Sequence, residues 1–121
     1  MVSVLTWLKV VDNSGAFTAK CIKVLKVRRR QGRIGDLIVV SIRSVNPRKE
    51  KFKIGNVRYG IVVNTKNIFK RAPGITYRFG QNSVILVNKR LAPYSKRLKA
   101  PIPFEVCLNY KFIATIAKKI I

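Results

Sequence analysis

Five times before residue 88 the chain runs through a short apolar, β-branched stretch and then stops at a turn signal. Stretches of this length and composition read as strands rather than as the helices of a bundle. The first is Val4–Val11, closed by Asp12-Asn13-Ser14-Gly15, whose Asx side chains and glycine accept the backbone angles of a tight turn. Phe17–Val27 follows, with lysines at 20, 23 and 26. Gly35-Asp36 opens Leu37–Val45, which puts Ile38, Val40 and Ile42 on one face. Asn46-Pro47 ends it, because proline has no N–H to give a ladder. Val57–Lys66 is apolar on both faces at Ile61-Val62-Val63, as a central barrel strand would be, and Ser83–Val87 is the fifth. The spacing predicts a mainly β fold, a small closed barrel over about 4–88.

Two further features complete the layout. Asn67–Phe79 predicts a projecting hairpin, with Arg71-Ala72-Pro73-Gly74 at its tip and Pro and Gly suited to a type II turn. Beyond the last strand, Pro93, Pro101 and Pro103 mark an irregular crossing over about 89–103. Phe104, Leu108, Phe112, Ile116 and Ile120 then recur every four residues, as on one core-facing helical stripe over about 104–119. Asn109-Tyr110 divides this stretch into two short helices. The β-branched Ile113, Thr115 and Ile116 lower helix propensity, so tertiary packing must hold the second. There is no internal repeat and no Gly/Ser linker, which fits one domain over 1–121.

Charge narrows the function. Against 26 Lys and Arg stand only four acids, Asp12, Asp36, Glu50 and Glu105, for a net charge of +22. Self-repulsion on that scale opposes the compact state unless a polyanion neutralises it. A solubilising surface mixes both signs; this one does not. The cations fall where loops are expected: Arg28, Arg29, Arg30 and Arg33; Arg48, Lys49, Lys51 and Lys53; Lys66, Lys70 and Arg71; Lys89, Arg90, Lys96, Arg97 and Lys99. Loops at the ends of a barrel can reach several phosphates at once, with arginine gripping in bidentate fashion. Nucleic acid is therefore the expected partner. Of the aromatics among these clusters, Tyr59 and Phe79 read as packing residues, whereas Tyr94, beside Pro93, Lys96 and Arg97, reads as a platform for an unpaired base.

The same inventory argues against an enzyme. With no histidine there is no ready acid–base group near neutral pH and no partner to activate Cys21 or Cys107. No G-x-S-x-G or S-x-x-K setting surrounds a serine. The two cysteines lack metal-ligand spacing and read as lone buried thiols; neither a metal nor a cofactor is expected. No apolar run approaches the roughly 20 residues of a membrane span, and Met1–Val11 lacks a signal-peptide layout.

Taken in order, several blocks carry a resemblance. They are Val11-Asp12-Asn13-Ser14-Gly15-Ala16, Cys21-Ile22-Lys23-Val24-Leu25, Gly35-Asp36-Leu37-Ile38, Asn46-Pro47-Arg48, Gly60-Ile61-Val62-Val63-Asn64-Thr65-Lys66, Tyr77-Arg78-Phe79 with Asn82, and Val84-Ile85-Leu86-Val87-Asn88. From about Val4 to Ala117 the chain resembles the universal large-subunit ribosomal protein number fourteen, the L-fourteen family. The resemblance implies a five-stranded barrel, a two-stranded ribbon near Asn67–Phe79 and short C-terminal helices. It implies binding to large-subunit ribosomal RNA, pairing with a neighbouring ribosomal protein (the nineteenth, in bacteria), and contact with small-subunit RNA across an intersubunit bridge. It also implies docking of a ribosome-silencing factor. Carried over by position, Asn13, Ser14, Lys23, Arg48, Lys66, Arg78, Asn82 and Arg97 match the family's RNA-facing or site-shaping residues, and Lys96, Arg97 and Lys99 lie on the bridge and silencing-factor segment. Of that segment's family pattern, Ser95–Pro101 keeps only Arg97 and Pro101. The lysine load and fourteen isoleucines suit an A+T-biased genome, which points to a mitochondrial ribosome ahead of a plastid or bacterial one.

Two other classes compete. A stand-alone barrel of the OB type would bind single strands through aromatics exposed on one face. A membrane-active basic protein would lay the Phe104–Ile121 stripe on an anionic surface, although a core-facing helix explains that stripe more simply.

Overall fold

The computed structural model describes residues 2–25, 31–49 and 51–121. In chain order the elements are β1 (Val2–Ser3), β2 (Trp7–Val10), β3 (Ala16–Val24), β4 (Gln31–Gly32), β5 (Leu37–Val45), β6 (Val57–Asn64), β7 (Phe69–Ala72), β8 (Ile75–Tyr77), β9 (Ser83–Val87), α1 (Phe104–Asn109) and α2 (Lys111–Ile116). Strands β2, β3, β5, β6 and β9 form a closed barrel. Its pairs are antiparallel except the closing one, in which β2 runs parallel to β9 with Lys9 opposite Ser83 and Val10 opposite Val84.

Strand alternation decides what fills the barrel. Ile38, Val40 and Ile42 all point inward, where they meet Leu8, Val10, Ala19, Cys21, Val62, Val84 and Leu86. Gly60 belongs to this packing: a Cβ there would come within 2.5 Å of Val84 Cγ2. The doubly apolar β6 has a more specific cause than a central position. Ile61 and Val63, with Ile85 and Val87 of β9, point outward into a second apolar layer built from Leu98, Ile102, Val106 and Ile113. The crossing after β9 and the two helices thus form a cover over one side of the barrel.

That crossing is held by backbone pairing. Asp12 bridges Leu98, the Lys99 N–H donates to Val11 O at 2.7 Å, and Ile102 bridges Ile120. The helical stripe expected over residues 104–119 is corrected. Tyr110 separates two six-residue helices and resets the phase, so Val106 and Ile113 become the buried anchors. Phe104, Leu108 and Ile120 are exposed, Leu108 to 70 %, while Phe112 and Ile116 pack partly against the cover.

Two strands also differ from expectation. Val4–Val11 is broken at Leu5, whose φ of 72° turns the chain between β1 and β2. The break is held by a hydrogen bond from Leu5 N–H to Cys21 O (2.8 Å) and by the Ser3 and Thr6 hydroxyls. The basic stretch through Arg33 is not all loop, because Gln31–Gly32 pairs with Val2–Ser3. Arg28, Arg29 and Arg30 lie outside the described residues. The ribbon β7–β8 is present, with its turn at Pro73-Gly74 as expected: Ala72 pairs with Ile75, and Gly74 has the φ of 77° that a type II turn needs at its third residue. Cys21 is buried and Cys107 partly buried, both as free thiols.

Candidate nucleic-acid interface

At one end of the barrel three loops converge: residues 11–15 between β2 and β3, 46–56 between β5 and β6, and 88–101 after β9. The first is organised around Asp12, a carboxylate only 1 % exposed. It accepts hydrogen bonds from Ser14 N–H (3.2 Å), from the Ser14 hydroxyl and from Leu86 N–H (3.1 Å). Burial pushes its carboxyl above the usual range, and those three donors, with the nearby Lys51, oppose the push. Ser14 is therefore consumed in building the turn, with its hydroxyl turned inward.

The turn then collects groups from the other loops. Gly15 adopts φ 108°, and a Cβ there would stand 3.0 Å from Lys49 Cβ, so the absence of a side chain lets Lys49 lie across it. The Lys49 ammonium donates to Asn13 O at 2.8 Å and to Asn13 Oδ1 at 2.7 Å. Asn13 N–H donates to Ser95 Oγ (3.1 Å) and Arg97 O (3.2 Å), which ties the 95–97 segment to the same turn. Asn46 N–H donates to Gly15 O at 2.7 Å, and Arg48 leaves the strand end beside it. Asn13, Arg48, Lys49 and Arg97 are thus gathered from three loops onto one surface. Arg97, Lys99 and Lys118, with Asn13, line a cleft of about 610 Å³ there.

More cations ring this end. Lys53, Lys89, Arg90 and Lys96 are exposed around it, the 88–92 turn being pinned by Asn88 Oδ1, which accepts from Arg90 N–H and Ala92 N–H. Lys51 donates to Tyr94 O at 2.6 Å and stands over the Tyr94 ring at 5.3 Å, while Phe52 meets the ring edge-on. Tyr94, expected as the base platform, is thus engaged by protein groups. Of the four acids, Asp12 lies beneath the surface, Asp36 accepts from Arg33 N–H in the turn before β5, Glu105 is on α1, and Glu50 is outside the described residues. A surface so composed attracts polyanions.

The remaining expected residues do not join this group. Lys23 is exposed on β3. Lys66, Lys70, Arg71, Arg78 and Asn82 belong to the ribbon and its base at the far end of β6, where Asn82 Oδ1 accepts from Lys66 N–H at 2.9 Å. Apart from Lys23, and from Arg33 in the turn before β5, the described candidate residues thus form two basic regions, not one. Sequence reading overlooked Trp7 and Phe17, large rings left 56 % and 45 % exposed on the barrel's outer face. Strand period alone places Trp7 on the same face as Lys9, two residues on, and that was the available signal.

Among the described residues there is no group of three or more His, Cys, Asp or Glu placed to hold a metal ion, and no helix long and apolar enough to cross a membrane. Over residues 1–121 the chain matches the family model described as ribosomal protein L14p/L23e.

Proposed function

We propose, for a chain that belongs to the ribosomal protein L14p/L23e family and is thereby a structural constituent of the large ribosomal subunit, that it holds ribosomal RNA through two basic regions. The barrel end bearing Asn13, Arg48, Lys49 and Arg97 would grip one set of phosphates. The ribbon and its base, with Lys66, Lys70, Arg71 and Arg78, would grip another. The observation that carries this reading is the convergence of three loops on Asp12. A single buried carboxylate fixes the turn from which Lys49 and the 95–97 segment are hung, so the cations are presented in set positions. Phosphate contacts made this way release counterions and fix the register of protein on RNA.

The finer reading places Lys96, Arg97 and Lys99 at the intersubunit face, in contact with small-subunit RNA. Their exposure on one segment supports this. The same segment would receive a silencing factor. The lysine- and isoleucine-rich composition supports a mitochondrial ribosome. Arg97→Glu tests the bridge role. Because Arg97 is exposed and only its backbone serves the fold, large subunits carrying the variant should assemble, while their joining to small subunits in a sucrose-gradient assay should fall. Normal joining by intact variant subunits would remove the bridge role from this residue.

A further inference from the structure

The outer face of β2 and β3 holds a further feature that borders both basic regions. Trp7 and Phe17 stand on neighbouring strands and line a groove of about 450 Å³ together with Lys9, Gln81, Asn82 and Lys99. Two aromatic rings half in water forgo burial that would stabilise the fold, so a surface serving only solubility would not carry them. The Lys20 ammonium lies 5.6 Å from the Trp7 ring centroid, within cation–π reach. It steadies the ring, which stays 56 % exposed and so open to a flat partner.

The rim decides which partner. Lys9 shares the outward face with Trp7, Lys20 stands over the ring, and Lys99 closes the groove; among the described residues no acid lines it. An unpaired nucleotide brings a flat apolar ring and a phosphate in one unit, which fits an aromatic wall with a cationic rim. Asn82 is held in place there, since its main-chain carbonyl accepts from Lys9 N–H at 3.0 Å and its Oδ1 from Lys66 N–H, and Gln81 beside it offers an amide for a base edge. Lys99 also lines the cleft with Asn13 and Arg97, so a strand leaving the groove runs directly onto the basic end.

We infer that the groove between Trp7 and Phe17 takes an unpaired base of ribosomal RNA, stacked on the indole that Lys20 steadies, with Lys9 and Lys99 on the adjoining phosphates. This rests on the RNA-binding reading and adds to it a contact that tells single-stranded from paired RNA.

Trp7 is the chain's single tryptophan, so its emission reports the groove directly. The full chain is titrated at about 0.15 M salt with a single-stranded oligoribonucleotide and with a blunt, fully paired RNA duplex. Anisotropy of end-labelled RNA reads binding, and emission with unlabelled RNA reads stacking. Both RNAs should bind, and only the single strand should quench Trp7. Trp7→Ala should weaken single-strand binding roughly 5- to 150-fold, the loss of about one base stack, and leave duplex binding unchanged. Trp7→Phe should restore most of the loss, and Phe17→Ala should repeat the pattern more weakly. Trp7 lies outside the core, and circular dichroism checks that each variant folds. Single-strand binding with unchanged emission would overturn the base site while leaving the RNA-binding reading intact, as would equal quenching by duplex. So would an emission shift seen only in assembled subunits and never with RNA, which would mark a protein neighbour in the groove. Failure to bind either RNA would overturn both readings.

Discussion

Asp12 shows how one side chain can set a whole surface. Its two carboxylate oxygens take Ser14 on one side and Leu86 N–H on the other, so the β2–β3 turn is fastened to β9 across the barrel end. Burial raises its pKa above the 3.8 of an ordinary aspartate, which means the folded chain binds a proton over a pH range where the unfolded chain has released it. Stability therefore falls as pH rises from about 3.8 through the folded value, because the native state binds more protons there. With only three other acids in the chain, this slope should be readable in urea midpoints taken across that range. Asp12→Asn should flatten the slope. It should also lower stability by about 1–3 kcal/mol, since one of the donors it now satisfies is left buried without an acceptor. A variant with the same slope as the parent would show that Asp12 is not its source.

At the scale of elements, legibility followed locality. Leu37–Val45 and Ser83–Val87 could be bounded from sequence because turn residues flank them, and the apolar centre of β6 announced burial on both faces. The break at Leu5 could not, because it depends on Cys21 O, sixteen residues away, and leaves no turn residue behind. The helical stripe failed for a different reason: the break at Asn109-Tyr110 was legible, but a period counted across it loses meaning. Likewise, the basic clusters were visible in the sequence, whereas the hold of Lys49 on Asn13 depends on which loops meet. The ribbon is the most separable element, since β7 and β8 form a sheet of their own beside the barrel. Replacing residues 67–79 with a short Gly/Ser connection should leave the barrel's thermal transition nearly unchanged. It should also release the protein from large subunits at lower salt. Loss of folding would instead make the ribbon part of the barrel's support.

For the whole molecule, a net charge of +22 gives salt two opposite effects. In the free protein, screening relieves self-repulsion, so the melting temperature should rise with added salt. Bound to RNA, each phosphate contact is weakened by competing counterions, so affinity should fall with a log–log slope of roughly 0.7–0.9 per contact. Parallel melting and binding series across one salt range check both signs; a melting temperature that drops with salt would mean the charges are already compensated within the chain. The parallel pairing of β2 with β9 has a consequence in time. The first stave of the barrel waits for the last, so a chain emerging from the ribosome cannot close its ring until residue 87 has cleared the exit. The outward Ile61, Val63, Ile85 and Val87 stay bare until the final helices arrive. Such late, long-range closure makes for slow folding and a vulnerable nascent state. A strongly cationic, half-closed chain therefore has every reason to finish folding on the RNA that will keep it.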